Sequence, residues 1–278
     1  GFSTFGGHEA GPLLGLVRPA GEPVIVGGRG GEDGFYAALW TVDGTAWARQ
    51  PTTDAQLRSG PDRVLSFRAT ASGGDGILIA GAEIGLAGAV LQTPVLWSGT
   101  VAGPWRTRHL PIPDELAGAT GLTQASAVAC GDGPSCWVAG WVRGRPVVWE
   151  ADPSGTMATP TVLPGTGGGG TDPTIAVAVA GTVPVVLTNA EDAPLLAWRC
   201  GGRWLTGPAP PGPVSVAAAV GSRLYAPNRP NTASNSTPAS ITCAICMMYP
   251  ARAPGLLRRV AAVDQNRLSR HPPALGNE

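Results

Sequence analysis

The stretch A-A-L-W-T-V-D-G-T-A-W, from Ala37 to Trp47, decides the fold. It joins an apolar, strand-like run to a turn that contains Asp and Gly, and a second tryptophan follows that turn. Similar runs recur at intervals of roughly 50 residues, a period typical of an array of one supersecondary unit. The runs are A-A-L-W, P-V-L-W, P-V-V-W and L-L-A-W, and they end at Trp40, Trp97, Trp149 and Trp198. We expect these tryptophans to occupy equivalent positions and to fill the space between neighbouring units.

Four short strands are expected in each repeat. A small apolar strand comes first, a second strand follows a glycine-containing turn, the third carries the anchor tryptophan, and the fourth begins near the next aromatic position. Short strands bounded by Gly and Pro are typical of a sandwich, a barrel or a propeller. A fixed repeat length of roughly 50 residues, with four strands in each repeat, favours the propeller. The sequence therefore predicts an all-β fold, a β-propeller of four-stranded antiparallel blades with four clear blades and the start of a fifth. An incomplete ring is one of the alternatives.

The repeats divide the chain into two predicted parts. Propeller repeats occupy residues 1–226, and a divergent or poorly ordered C-terminal tail is expected over residues 227–278, where glycine becomes scarce. That tail is either a divergent final blade with an appendage or foreign sequence that follows an incomplete ring. Residues 1–6 are the candidate outer strand of the last blade, because ring closure removes exposed strand edges. The units are expected at about residues 13–50, 63–111, 125–164 and 175–212, with a fifth starting at Val214.

Charge and composition exclude some classes of partner. The 19 basic residues, all arginine, equal the 19 acidic residues, so the net charge gives no reason to expect nucleic acid binding. No apolar run reaches the roughly 18 to 20 residues of a membrane-spanning helix, so no transmembrane segment is predicted. The 41 Gly, 28 Pro and missing lysine indicate GC-rich, bacterial coding. We expect a secreted or cell-envelope protein whose signal peptide is absent from this chain.

Cysteine spacing gives one candidate disulfide. Cys130 and Cys136 flank G-D-G-P-S, a sequence typical of a tight turn between two strands. Such a turn would place the two thiols side by side, within reach of a bond in an oxidising compartment. The chain has five cysteines, an odd number for a disulfide framework. Free thiols at both positions are the alternative.

The turn T-V-D-G-T-A-W, Thr41 to Trp47, resembles the Asp-box, or BNR repeat, of sialidase-like β-propellers. In that family the Asp hydrogen-bonds the turn and the Trp packs between blades, so the resemblance implies a structural motif away from the active site. The later copies are degenerate: Thr100 to Trp105 lacks the Asp, Asp152 to Met157 lacks the Trp, and Cys200 to Trp204 keeps only glycines and the Trp. A sialidase-like enzyme would also need three arginines, and V-R-P around Arg18 is a faint counterpart of the first. Because these catalytic parts are not found, it is uncertain whether the protein is an enzyme, and a protein without catalytic activity is favoured.

The longer and more charged loops are expected at one end of the propeller. In a four-stranded meander, the loops between second and third strands emerge at the same end as the connections between blades. Such loops on a rigid scaffold are where binding sites are usually found, although simple solvation of the charges is the alternative. This end collects the candidate binding residues Glu32, Asp33, Asp54, Arg58, Asp62, Asp114, Glu115, Glu191 and Asp192.

These observations predict a non-catalytic, exported β-propeller that binds a protein or glycan ligand through its longer acidic loops. Two alternatives stay open. One is a divergent sialidase-like glycosidase or lyase, and the other is a structural repeat module of a longer cell-envelope protein. No catalytic residue, metal ligand or cofactor is predicted from the sequence.

Overall fold

The computed structural model describes part of the chain. The described residues are 5, 9–32, 34–88, 90–152, 154, 159–164, 174–189, 195–208, 218–220, 223–226 and 239–242. The chain divides into two compact units, Gly1–Cys243 and Ala244–Glu278, and all described residues belong to the first. None of the helices in the described ranges is long and apolar enough to cross a membrane.

The first unit consists of antiparallel sheets, each formed by strands that follow one another along the chain. In the described ranges, four sheets have four strands and one has three. We refer to the four-stranded sheets as blades 1 to 4 and to the three-stranded one as the fifth sheet. The strands are β1 Ala10–Val17, β2 Val24–Gly31, β3 Gly34–Asp43, β4 Ala46–Gln50, β5 Arg63–Gly73, β6 Gly76–Gly85, β7 Leu91–Gly99, β8 Arg106–His109, β9 Gln124–Cys130, β10 Cys136–Val142, β11 Arg145–Ala151, β12 Thr161–Val162, β13 Thr174–Ala180, β14 Val183–Asn189, β15 Leu195–Cys200, β16 Arg203–Pro208, β17 Ala218–Val220, β18 Arg223–Ala226 and β19 Ala239–Thr242.

The first strands of consecutive sheets lie beside one another. Strand β1 contacts β5, β5 contacts β9, β9 contacts β13, and β13 contacts β17. Sheets that meet at their first strands and extend outward as meanders have the arrangement of propeller blades. The predicted fold class, an all-β propeller with four-stranded antiparallel blades, is confirmed.

The four anchor tryptophans occupy equivalent positions, as the repeats predicted. Each lies on the third strand of its blade and is buried. Each also pairs with an apolar residue of the second strand: Trp40 with Ile25, Trp97 with Ile79, Trp149 with Val138, and Trp198 with Val185. Their burial between sheets explains why the indole recurs, since a large side chain is needed where neighbouring blades diverge.

Blades 1 to 3 share a β-bulge that the sequence analysis did not predict. In blade 2, Phe67 and Ala69 pair with the neighbouring residues Gly81 and Ala80, which leaves Arg68 as the extra residue. The bulge changes which side chains face which neighbour: Phe67 packs in the apolar core that contains blade 1 residues, whereas Ala69 packs against the core that contains blade 3 residues. Glycine stands opposite each bulge, at Gly27, Gly81 and Gly140.

The fifth sheet extends beyond the predicted end of the repeats. Strand β19 pairs with β18 through Ala226↔Ala239, Tyr225↔Ser240, Leu224↔Ile241 and Arg223↔Thr242. The pairing therefore includes a short part of the segment assigned to the tail, where Ile241 and Thr242 are β-branched and favour a strand. A domain boundary at residue 226 stays a prediction. The predicted N-terminal outer strand lies outside the described residues except for Phe5, whose ring centroid is 5.3 Å from that of Trp40.

The predicted disulfide between Cys130 and Cys136 is present. The two residues pair across the ends of β9 and β10, with their Cα atoms 4.1 Å apart. Cys200 is a free, half-buried thiol, while Cys243 and Cys246 lie outside the described residues.

We expect the Cys130→Ser/Cys136→Ser double variant to lose about 2 kcal/mol of unfolding free energy, because a short closed loop restricts the unfolded chain only moderately. Urea denaturation under non-reducing conditions measures the loss. The matched control is Cys200→Ser, which removes a thiol and no crosslink. Equal stability of the double variant and the wild type would contradict this prediction.

Candidate binding surface

The connections between blades and the loops between second and third strands lie at the same end of the sheets, where hydrogen bonds join them. The Ser59 amide donates to the Phe35 carbonyl at 2.8 Å, and the Leu86 amide donates to the Asp62 carbonyl at 2.8 Å. In blade 3 the Gly144 amide donates to the carbonyl of Leu122 at 3.0 Å. We call this end the rim end.

The remaining turns meet at the opposite end, which we call the turn end. The Ala20 amide donates to the Gly74 carbonyl at 3.2 Å, and the Arg18 amide donates to Ser72 Oγ at 3.3 Å. Arg18, the faint counterpart of a sialidase arginine, therefore lies at the turn end. Four exposed acids belong to turn-end loops: Glu22, Asp43, Asp75 and Asp132.

The predicted rim residues fall into three groups. Glu32, Asp62, Asp114 and Glu115 are exposed. Asp54 and Arg58 are half-buried and contact other parts of the protein. Asp33, Glu191 and Asp192 lie outside the described residues.

Asp54 has a structural role that the sequence analysis missed. Its carboxylate accepts hydrogen bonds from the amide of Gln56 at 2.9 Å and from the amide of Trp105 at 2.8 Å. The first bond caps the 3-10 helix Ala55–Leu57. The second joins the connection between blades 1 and 2 to the outer part of blade 2. The cap can be recognised in the sequence, because Asp54 stands two residues before the amide that it accepts from. The second bond cannot be recognised there, because Trp105 is distant in sequence.

The Arg58 side chain contacts two other parts of the rim end. Its guanidinium carbon lies 5.0 Å from the ring centroid of Tyr36, close enough for a cation–π interaction. Its Nη1 also donates to the Thr52 carbonyl at 3.4 Å. The side chain thereby ties the blade connection to strand β3.

Arg63 holds the same connection in place, a role that no sequence motif indicates. Its Nη2 donates to the Ala55 carbonyl at 2.6 Å and to the Arg58 carbonyl at 3.5 Å. Its Nη1 lies 3.4 Å from Glu83 Oε2, in an ion pair whose side chains are mostly buried. Residues 51–62 are therefore held by side-chain contacts as well as by backbone bonds.

A group of exposed apolar side chains lies at the rim end, on segments next to residues 51–62. It consists of the exposed side chains Phe35, Leu86, Val90 and Leu91, with relative exposures of 51%, 44%, 71% and 62%. We call these four residues the rim patch. Leu86 and Val90 lie in the loop between β6 and β7, and Leu91 begins β7, so the apolar run G-L-A-G-A-V-L stands where polar residues are usual. The charge pattern of the loops does not reveal the rim patch, because all four of its residues are apolar.

The Asp-box turn keeps its hairpin but lacks the side-chain bond that the resemblance implies. Asp43 pairs with Ala46 around a two-residue loop, and Gly44 has a positive φ of 61°. Among the described residues, no hydrogen bond involves the exposed Asp43 carboxylate. The Asp-box therefore stays a resemblance.

No group of His, Cys, Asp and Glu side chains in the described ranges could hold a metal ion.

Comparisons with known proteins give no family. No family model matches the chain, and no curated protein matches it. Similar solved structures include a nidogen/laminin complex, 14% identical with a TM-score of 0.45 over 78% of this chain and 72% of that one. An α-L-arabinanase from Penicillium chrysogenum complexed with arabinobiose is 12% identical, with a TM-score of 0.46 over 83% and 81% of the two chains. A sucrose-6-phosphate hydrolase from Lactobacillus gasseri is 11% identical, with a TM-score of 0.43 over 86% and 61%. Likeness at this level carries no argument about function.

Proposed function

We propose that this protein is an exported, non-catalytic β-propeller that binds a protein or glycan through the loops of its rim end. The observation that carries the proposal is that the connection between blades 1 and 2, residues 51–62, is held in place by side-chain contacts. Asp54, Arg58 and Arg63 hold it in place beside the exposed acids Glu32 and Asp62. A loop that is already ordered loses less conformational entropy when it binds a partner, which favours a recognition role.

The disulfide supports the proposal that the protein is exported. The bond between Cys130 and Cys136 joins two adjacent strands of blade 3. Disulfides persist mainly in oxidising compartments such as the bacterial periplasm and the cell exterior. Binding at an outward-facing loop surface fits such a location.

Matched charge variants test whether binding depends on the rim end. The rim variant neutralises Glu32, Asp62, Asp114 and Glu115 by Glu→Gln and Asp→Asn changes. The control neutralises the turn-end acids Glu22, Asp43, Asp75 and Asp132 in the same way. All eight side chains are exposed, so both variants remove the same charge without disturbing the core. The probes are a printed glycan array and a phage-displayed library of random dodecapeptides.

We expect wild type and control to bind at least one probe class, and the rim variant to bind it about tenfold more weakly, a loss of about 1.4 kcal/mol. The proposal fails if neither probe is bound, or if the rim variant binds as well as the control. Release of 4-methylumbelliferone from fluorogenic glycosides by the wild type would instead support the glycosidase alternative.

A further inference from the structure

We propose that the rim patch is the docking site for a segment of a partner protein that presents apolar side chains next to Lys or Arg. This inference rests on the proposed function and specifies its partner. The rim patch, formed by Phe35, Leu86, Val90 and Leu91, places four large apolar side chains in solvent at one end of blades 1 and 2. Contiguous exposed apolar patches on soluble proteins often mark interaction sites.

Backbone hydrogen bonds connect the members of the rim patch. Phe35 is bonded through its carbonyl to Ser59, and Leu86 through its amide to Asp62, only three residues further along the same connection. Leu91 pairs with Gly85 at the base of the β6–β7 loop. Ser59 Oγ also accepts a hydrogen bond from the Leu65 amide at 3.1 Å, which anchors the connection to β5. The backbone is thus held at Phe35, Leu86 and Leu91 before any partner binds, which lowers the entropic cost of docking.

The charges around the rim patch favour a cationic partner. Glu32 and Asp62 are exposed beside it, and none of the ion pairs among the described residues involves either carboxylate. The neighbouring arginines are already engaged: Arg63 pairs with Glu83, and Arg58 lies over Tyr36. Negative carboxylates next to an apolar surface complement a segment that carries Lys or Arg beside apolar residues.

The side chains of the rim patch suit a protein segment better than a sugar. Sugar sites commonly use exposed aromatic faces, which combine an apolar surface with fixed geometry. Phe35 is the single aromatic residue among the large exposed apolar side chains of the described ranges, and the other three patch residues are aliphatic. Leu, Ile or Phe side chains of a peptide would be removed from water when they pack on these aliphatic side chains, which favours binding.

A second copy of this chain is a poorer occupant. Symmetric pairing would bring the same patch of both copies together, and with it the carboxylates Glu32 and Asp62 of each. Like charges brought together oppose association.

Two fluorescein-labelled dodecapeptide pools of equal Leu, Ile and Phe content test the proposal by fluorescence polarisation. One pool carries Lys and Arg at its remaining positions, and the other carries Asp and Glu. The patch variant is Leu86→Ser/Val90→Ser/Leu91→Ser, and the control is Val42→Ser/Leu205→Ser, which removes exposed apolar side chains outside the patch. All five side chains are substantially exposed, so we expect unchanged unfolding midpoints. The pair Glu32→Gln/Asp62→Asn tests the charge contribution separately.

We expect wild type and control to bind the basic pool, more weakly at high salt, and to prefer it at least tenfold over the acidic pool. The patch variant should lose at least tenfold in affinity, and Glu32→Gln/Asp62→Asn should reduce both affinity and salt dependence. Equal binding of both pools, no binding of the basic pool, or full binding by the patch variant would each overturn the inference. So would a concentration-dependent dimer of the wild type that the patch variant abolishes. Glycan binding that needs the rim acids but not the patch would overturn this inference and leave the proposed function standing.

Discussion

Replacing Gly81 with alanine is expected to lower the free energy of unfolding by more than about 4 kcal/mol, enough to prevent stable folding. A Cβ atom at Gly81 would lie 2.0 Å from the Ser66 carbonyl oxygen and 2.9 Å from the ring of Trp97. Neither atom can move away cheaply. The first belongs to the backbone of an inner strand beside a bulge, and the second to a fully buried indole.

Gly140→Ala should have a similar effect, since its Cβ would lie 2.1 Å from the Gln124 carbonyl oxygen. Gly28→Ala is the matched control. Gly28 is also a buried strand glycine, but its Cβ would meet Pro12 Cδ at an ordinary 3.6 Å. Soluble yield and urea denaturation followed by circular dichroism measure the difference. If Gly81→Ala unfolds at the same urea concentration as Gly28→Ala, the bulge does not require glycine.

The repeat and the strands could be predicted because their causes are local. A tryptophan at the end of an apolar run, followed by a turn containing Asp and Gly, is visible within eleven residues of sequence at Ala37 to Trp47. The disulfide could be predicted for the same reason, since Cys130 and Cys136 flank one turn. Both features need only the geometry of strands and hairpins.

The bulges and the role of Asp54 could not be predicted, because their causes lie in distant parts of the chain. Gly81 is one glycine among 41, and nothing in the neighbouring sequence shows that it lies close to the Ser66 carbonyl. Asp54 was assigned to the rim end by the position of its loop, yet Trp105, which is 51 residues away, uses its carboxylate. A carboxylate in a loop can face solvent, bind a ligand or accept a hydrogen bond from a backbone amide. The local sequence does not distinguish among these three roles.

The end of the propeller at which the charged loops meet could be predicted, whereas the binding role of their residues stays a prediction. Loop order in a meander placed Glu32 and Asp62 at one end, and backbone bonds join the loops that carry them to neighbouring parts of that end. The apolar rim patch escaped prediction because Leu86, Val90 and Leu91 continue the composition of the adjoining strands. Their exposure depends on where β6 ends and β7 begins, and sequence reasoning locates such boundaries poorly.

Replacing Trp149 with alanine is expected to cost about 3–5 kcal/mol of unfolding free energy, because the change leaves a large cavity in a packed core. Trp149 is fully buried among residues of blades 2 and 3, including Leu110 and Val138. Its indole also holds the connection that follows blade 2, since Nε1 donates to the Pro111 carbonyl at 2.9 Å. Urea denaturation of the variant measures the combined loss of packing and of this hydrogen bond.

Phenylalanine variants separate those two contributions. Trp97 is equally buried, but its Nε1 has no hydrogen-bond partner. Trp97→Phe therefore removes an unsatisfied donor together with some packing, whereas Trp149→Phe removes packing and breaks a hydrogen bond. We expect Trp149→Phe to be the more destabilising of the two by at least about 1 kcal/mol. If Trp97→Phe costs as much or more, packing alone explains the anchor tryptophans, and the bond to Pro111 adds nothing to the contact between blades 2 and 3.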